Sequence, residues 1–189
     1  MKLDEYIEEK KYQNDFFEGY HNYTEIVEAE FNNCDFSKAK FQGIDINETK
    51  FNKTNFANLE LNNCTIKNTV FDNCNLVGVN FIDGYFEYIT FNNCNLMYAN
   101  FNGANIKNVI FNNCNLKDSS FNNMKWKKMT FDSCDLTNSE FYNTNLKELD
   151  FRNSIITNIK VNINNLKGLV VNYEQAVNLA LMLGIIIKP

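Results

Sequence analysis

The chain has 189 residues and a formal net charge of −5, and this length suits a single domain. A hydrophobic fraction of 44% is ordinary for a globular protein and argues against intrinsic disorder. No apolar run approaches the roughly 18 residues that a membrane-spanning helix needs. Residues 1–11 also lack the apolar core of a signal peptide, so we expect a cytoplasmic protein that binds no membrane.

The acidity is concentrated in the first segment of the chain. Residues 1–30 carry nine acidic and three basic side chains, whereas residues 31–170 carry a net charge of +1. Charged runs of this kind usually form a solvated surface. We expect residues 1–20 to form an N-terminal cap or leader, with a short helix over residues 3–11. The chain has no long basic run, so we expect no direct binding to nucleic acid.

An uninterrupted five-residue repeat occupies residues 21–171. Every fifth residue from Ile26 to Leu166 is apolar, in a series of 29 positions that contains fifteen of the seventeen phenylalanines. Side chains five apart spread around an α-helix and alternate between the faces of a flat strand, so neither element alone can bury this series. The chain must therefore turn a corner in every repeat.

A second register and a longer period indicate how the repeats assemble. The residue two positions before each apolar centre is usually small, and this spacing places both residues on the same side of an extended segment. Four similar segments recur every twenty residues, at Phe71, Phe91, Phe111 and Phe131. Four five-residue sides therefore form one coil, and stacked coils would pair as parallel strands around a continuous core.

This pattern resembles the pentapeptide-repeat family, whose units place a small residue two positions before a central Leu or Phe. The resemblance covers residues 26–170. It implies an all-β fold, a right-handed quadrilateral parallel β-helix, followed by a C-terminal α-helical cap. The predicted organisation is an N-terminal cap or leader at 1–20, the β-helix at 21–171, and a C-terminal helix and dimerisation tail at 172–189.

The chain offers little that could support catalysis. Its only histidine, His21, lies in the inward register, where we expect a structural or capping role. No Gly-rich phosphate loop is present, and a solenoid filled with phenylalanine has no cavity for a substrate. We therefore expect a protein that is not an enzyme and binds no cofactor or metal. All six cysteines occupy the small inward register, which favours buried free thiols over a metal or redox role: Cys34, Cys64, Cys74, Cys94, Cys114 and Cys134.

A group of apolar and aromatic residues occupies outward positions near the middle of the repeat. Such residues can form an exposed patch that a partner covers, and scattered surface aromatics are the alternative. The candidate partner surface consists of Ile82, Tyr85, Tyr88, Met97 and Tyr98.

Large residues interrupt the small register further along the chain. Met124 and Met129 occupy two of its positions, on either side of Trp126. Three large side chains at this point should distort or widen the coil, and we expect a bulge rather than a site.

The repeat ends after Val171 and gives way to helical periodicity. Apolar residues in 173–183 follow helical spacing, Gly184 is a typical helix stop, and three isoleucines come next. An open solenoid end needs a cover, but this segment has more apolar surface than a cap requires. We expect a homodimer, and a helix that only caps the last coil is the alternative. The predicted interface residues are Tyr173, Ala176, Val177, Leu179, Ala180, Leu183, Ile185 and Ile187.

The same tail is similar to the C-terminal dimer module of Qnr-type pentapeptide-repeat proteins. This resemblance implies a DNA-mimicking homodimer that binds DNA gyrase or topoisomerase IV and protects them from quinolones. Such mimicry is usually explained by a strongly negative surface, whereas residues 31–170 here carry +1. An interaction scaffold or a toxin-immunity protein with a different partner is the alternative. The matching residues are Tyr173, Gln175, Ala176, Leu179, Leu183, Gly184, Ile185 and Ile187.

Overall fold

The chain folds into short strands joined by tight corners. The computed structural model describes residues 2–188. The strands are β1 (Tyr6–Glu8), β2 (Lys11–Gln13), β3 (Phe16–Val27), β4 (Glu30–Asn32), β5 (Asp35–Asn47), β6 (Lys50–Asn52), β7 (Thr65–Lys67), β8 (Val70–Asp72), β9 (Tyr85–Asn92), β10 (Asn105–Asn112) and β11 (Lys125–Asp132). A 3-10 turn (Ile163–Leu166) and helix α1 (Tyr173–Met182) follow.

Strands pair in parallel with the segment twenty residues further along. Phe71 lies opposite Phe91, and Phe91 lies opposite Phe111. Single parallel bridges, such as Asn75↔Asn95, continue the same register on the sides that have no regular strand. One coil therefore has four five-residue sides. The predicted fold class, a right-handed quadrilateral parallel β-helix with a C-terminal helix, is confirmed.

Stacked phenylalanines fill the interior. Ring centroids along one side are 4.9 Å apart for Phe71–Phe91, Phe91–Phe111 and Phe111–Phe131. Rings on different sides meet edge-to-face, as Phe111 and Phe121 do. Both arrangements are favourable for aromatic pairs. Because each coil covers the apolar residues of the next, the core is continuous along the rod.

The corners explain why asparagine is so frequent. Most repeats place the residue two positions after the centre in the left-handed region, where the non-glycine φ values lie between 47° and 69°. Asparagine tolerates this conformation at low cost. Its side chains also form ladders between coils: the Asn113 Nδ2 donates to the Asn93 Oδ1 at 2.7 Å. Corner geometry and ladder bonding therefore favour the same residue type.

The start of the chain does not form the expected helix over residues 3–11. Residues there form strands β1 and β2, and β3 continues through residues 20 and 21. In this first coil the buried residue is Phe17 rather than Phe16, because the register shifts by one residue between Phe16 and Glu18. Apolar residues such as Ile7 thus extend the core to the N-terminal end. The division at residues 20 and 21 stays a prediction.

The ladder is interrupted after β11, as the large residues near Trp126 led us to expect. Within residues 2–188, β11 pairs only with β10, and bridging to the next coil resumes at Asp135↔Ile155. The Trp126 indole Nε1–H donates at 2.6 Å to the Asn145 carbonyl. In the next coil a backbone N–H donates to the equivalent carbonyl, from Leu146 to Asn165 at 3.4 Å.

Candidate functional site

Helix α1 covers the C-terminal end of the solenoid. Asn172 caps the helix by accepting from the Gln175 N–H, while the Gln175 side chain accepts from the Asn172 N–H. The buried Gln175 Nε2 also donates to the carbonyls of Phe151 (2.8 Å) and Ser154 (2.7 Å). These bonds satisfy acceptors at the open end of the solenoid, so α1 begins on the rod as a cap.

The rest of the tail is mostly exposed. Of the predicted interface residues, Tyr173, Ala176, Leu183, Ile185 and Ile187 are exposed, while Val177, Leu179 and Ala180 are half-buried. Ile186 is 82% exposed, beside them. An open groove of about 340 Å³ runs between α1 and the last coils, with Ile156, Leu179 and Met182 in its lining. The tail therefore presents more apolar surface than the cap uses.

The candidate partner surface is spread over three sides of the rod. Tyr85 and Tyr88 belong to β9, with Ile82 just before it. Met97 and Tyr98 follow ten residues after Glu87 and Tyr88, and residues twenty apart are stacked neighbours, so ten residues amount to half a coil. Tyr88 and Tyr98 are each 56% exposed, at corners on opposite sides. The structure does not bring the five residues together.

Tyr85 is held by polar neighbours on its own side of the rod. Its hydroxyl donates to the Glu87 carboxylate at 2.8 Å, and the Lys67 ammonium lies 5.6 Å from its ring centroid. Glu87 also pairs with Lys107, which keeps the pKa of the Glu87 carboxyl below its usual range. This network fixes Tyr85 against the sheet, whereas Tyr88 projects from the corner.

The six cysteines are free and buried, as predicted. In the stacked series, the Cys94 Sγ donates to the carbonyls of Asn92 and Phe71 at 3.3 and 3.4 Å. Burial raises the pKa of the Cys64 thiol to about 12, so this thiol stays protonated at neutral pH. These cysteines act as small core residues with weak internal hydrogen bonds.

His21 is part of the core rather than of a surface site. Its Nδ1 accepts from the Leu3 N–H at 3.3 Å, and its ring packs 5.1 Å from that of Phe41. Burial lowers its pKa. Within residues 2–188, no group of three or more His, Cys, Asp and Glu side chains could hold a metal ion. No helix in this part of the chain is long and apolar enough to cross a membrane.

A sum of charge along the chain leaves open how charges sort onto the sides of the rod, because the surface is organised by the twenty-residue period. Glu25 lies directly opposite Asp45, and Lys107 directly opposite Lys127, on the same side. Sorting charged residues by this period, which was readable in the sequence, would have revealed the separation.

The chain was compared with known proteins. The family model described as "Pentapeptide repeat region" matches residues 24–101 and 104–178. No curated protein matches the chain in sequence. Among solved structures, a trypsin-treated form of QnrB1, a plasmid-mediated fluoroquinolone resistance protein, is similar at 21% identity over 96% of this chain and 99% of that one, with a TM-score of 0.41.

Two other solved structures are similar. HetL, a pentapeptide repeat protein involved in heterocyst differentiation regulation from Nostoc sp. strain PCC 7120, is 11% identical over 88% of this chain and 86% of its own, with a TM-score of 0.35. A pentapeptide repeat protein from the Arabidopsis thaliana thylakoid lumen is 19% identical over 52% and 66%, with a TM-score of 0.37. Likenesses this weak carry nothing about function. The match of the family model spans most of the repeat, and the chain belongs to the pentapeptide-repeat family.

Proposed function

We propose that this protein is a non-enzymatic binding protein that forms a tail-to-tail homodimer, engages DNA gyrase or topoisomerase IV, and protects the enzyme from quinolones. The observation that carries the proposal is the C-terminal tail. It combines a helix that caps the rod with an apolar surface that the monomer leaves in water. The cytoplasmic location expected from the sequence stays a prediction.

The shape of the tail supports dimerisation. Leu183, Ile185 and Ile187 are between 42% and 51% exposed, and they follow directly after α1. A second copy related by a two-fold axis would cover these side chains and could place an isoleucine in the groove beside Leu179. Removing such a set of residues from water would stabilise a dimer by the hydrophobic effect.

The topoisomerase partner is proposed from the tail residues that resemble the Qnr-type module. A binding role fits the interior better than catalysis does. Phenylalanines fill it, and the thiols and His21 are buried within it, away from any substrate. Exposed acidic side chains on the first coils, such as Glu25, Glu28, Asp45 and Glu48, could occupy a site that normally receives phosphates.

A supercoiling assay tests the proposal. Purified protein would be titrated into a reaction that contains DNA gyrase, relaxed plasmid and an inhibitory concentration of ciprofloxacin. We expect supercoiling to recover in the presence of the wild-type protein and to recover less with the Leu183→Glu variant. Tyr142→Glu is a matched control, because it adds the same charge at an exposed position outside the tail. No recovery, and no inhibition of gyrase at high protein concentration, would rule out gyrase as the partner.

An interaction scaffold for a different partner is the second candidate. The exposure of Tyr88 and Tyr98 favours it, since exposed tyrosines are frequent anchors of protein interfaces. The two lie on opposite sides, so a single small partner would contact only one of them. A partner captured by the wild type and by Tyr98→Ser, but not by Tyr88→Ser, would support this function.

A further inference from the structure

One side of the rod carries charge of opposite sign at its two ends. Its inward centres are in register from Ile7 through Phe86 to Trp126, and the twenty-residue period continues them to Leu146 and Leu166. We call this side the bipolar face. Its nine centres are Ile7, Ile26, Ile46, Ile66, Phe86, Ile106, Trp126, Leu146 and Leu166.

The N-terminal part of the bipolar face is acidic. In its outward positions at 6–9, 25–28 and 45–48 there are six acids and no base. All six acids are exposed, and within residues 2–188 none of them forms an ion pair. They are Glu8, Glu9, Glu25, Glu28, Asp45 and Glu48.

The C-terminal part of the same face is basic. Positions 105–108, 125–128, 145–148 and 165–168 contain six lysines and one acid, Glu148. Lys107 pairs with Glu87 and Lys147 with Glu148. In the part of the chain that the structure describes, the other four lysines have no ion pair: Lys125, Lys127, Lys128 and Lys167.

Within each end of the bipolar face, stacked side chains carry like charges and repel one another. Glu25 lies opposite Asp45, and Lys107 lies opposite Lys127. Like charges directly opposite each other in a sheet are unfavourable. A surface of the other sign placed against each end would relieve this repulsion and add attraction.

Between the two ends lies a centre of aromatic and apolar side chains that also holds Lys67 and Glu87. Tyr85 is half-buried and Tyr88 is 56% exposed on the middle coil. Val70 and Ile110 lie in register on either side of Thr90, along the adjoining corner. An apolar, aromatic centre with a charged rim is the usual anatomy of a protein interface.

From this arrangement we propose that the bipolar face binds the bipolar face of a second copy of the chain, with the two rods antiparallel. Phe86 is the middle one of the nine centres, so a two-fold axis across the rod at that level superimposes the acidic end of each copy on the basic end of the other. A parallel arrangement would instead place acid against acid.

The axis makes specific pairs. Asp45 of one copy faces Lys125 of the other, and Glu48 faces Lys128, because the axis preserves position across the face. Glu8 faces Lys167 in the same way. At the corner, Val70 faces Ile110 and Tyr88 faces its own equivalent. Three like-charge contacts remain. Glu28 faces Glu148, which pairs with Lys147, Lys67 faces Lys107, which pairs with Glu87, and Glu87 faces its own equivalent.

The bipolar-face contact is separate from the tail, and it would compete with a topoisomerase partner for the acids of the first coils. A chain that uses both surfaces would form assemblies larger than a dimer. Ionic strength distinguishes the tail contact from the bipolar-face contact, since salt screens exposed charges but does not weaken the burial of apolar surface. The test therefore uses the full chain with Leu183→Glu, so that tail contacts are weakened and the remaining association reports on the bipolar face.

Charge exchange tests the pairs directly. One variant carries Lys125→Glu and Lys128→Glu, and the other carries Asp45→Lys and Glu48→Lys. The parent chain is the full chain with Leu183→Glu. Sedimentation velocity should show that it associates at about 50 mM salt and that this association weakens at about 500 mM salt. Each variant alone should associate at least tenfold more weakly. An equimolar mixture of the two should associate again, since each repelling contact becomes an attractive one. Lys38→Glu with Lys40→Glu is the control for the first variant, because it changes the net charge by the same amount on other sides of the rod.

A crosslinking experiment keeps the proposal falsifiable if a charge variant fails to fold. Tyr88→Cys should form a disulfide-linked dimer under mild oxidation, because the two-fold axis brings both copies of position 88 together. Tyr98→Cys, equally exposed on the opposite side, should not. Equal crosslinking of both, no recovery in the mixture, or salt-independent association of the parent chain would overturn the proposal. So would a monomeric parent chain whose lysines bind duplex DNA instead.

Discussion

At position 21 the inward register holds a histidine where most other coils hold an aromatic or aliphatic side chain. The ring is 4% exposed, and its Nε2 has no hydrogen-bond partner within the described residues. Its Nδ1 accepts from Leu3 at the start of the chain. Burial penalises the charged form, and Lys2 adds to this effect, so the pKa of His21 lies below that of an exposed histidine. His21 thus links the first coil to the core only when it is neutral.

Protonation of His21 should make the protein less stable in mild acid. The unfolded chain binds a proton near pH 6.5, while the folded chain resists it, so stability is full above that pH and declines as the pH falls towards the lowered folded pKa. Between pH 7.5 and 5.5 we expect a loss of at most about 1.4 kcal/mol in the wild type that His21→Phe does not show. Urea unfolding at both pH values measures it, and equal losses in the two proteins would contradict this role.

Strand β11 is the element where local sequence disturbs the stacking. Phe131 of β11 stacks on Phe111 of the preceding coil, with ring centroids 4.9 Å apart and an interplanar angle of 5°. The rings of Phe131 and Phe151 of the next coil are 5.5 Å apart and tilted by 49°. Met124 stands where the coil before it has Ala104, and Met129 stands where that coil has Val109. The indole N–H of Trp126 donates to the Asn145 carbonyl, which would otherwise accept a ladder hydrogen bond from the backbone. The coil therefore opens on the side of the next coil.

Amide hydrogen exchange should detect this opening. The N–H groups of Lys128 and Phe131 have no ladder partner in the next coil within the described residues, while those of Asn93 and Leu96 do. We expect the first pair to exchange at least tenfold faster than the second. Replacing Met124 by Ala, Met129 by Val and Trp126 by Ile gives this coil the residues of the coil before it and should slow exchange at Lys128. Equally slow exchange at all four sites of the wild type would show that the ladder is closed.

As a whole, the molecule is a rod with an exposed apolar tail at its C-terminal end and a bipolar face along one side. The tail offers apolar surface at the end of the rod, and the bipolar face offers a charged surface along its length. These surfaces respond differently to salt, since hydrophobic contacts strengthen or stay unchanged where ion pairs are screened.

The tail dimer should persist at high ionic strength. At about 500 mM salt we expect the wild type to sediment as a dimer. Leu183→Glu should weaken dimerisation at least tenfold, because it buries a charge in the apolar interface. Tyr142→Glu carries the same change at an exposed position on the solenoid and should remain dimeric. A monomeric wild type under these conditions would mean that the tail is only a cap.

The five-residue spacing was enough to predict the coil and the buried phenylalanines and thiols, and helical spacing after Val171 was enough to predict the tail. Each of these depends on which side of a short segment a residue faces, and this follows from local spacing. The N-terminal strands escaped prediction because the register slips by one residue between Phe16 and Glu18, which hides Ile7 and Phe17 among charges. The positions of Tyr88 and Tyr98 on opposite sides, the open ladder at β11 and the bipolar face depend on contacts between residues that are half a coil or a whole coil apart. Such contacts exist only once the coils stack, because stacking sets which side chains share a surface.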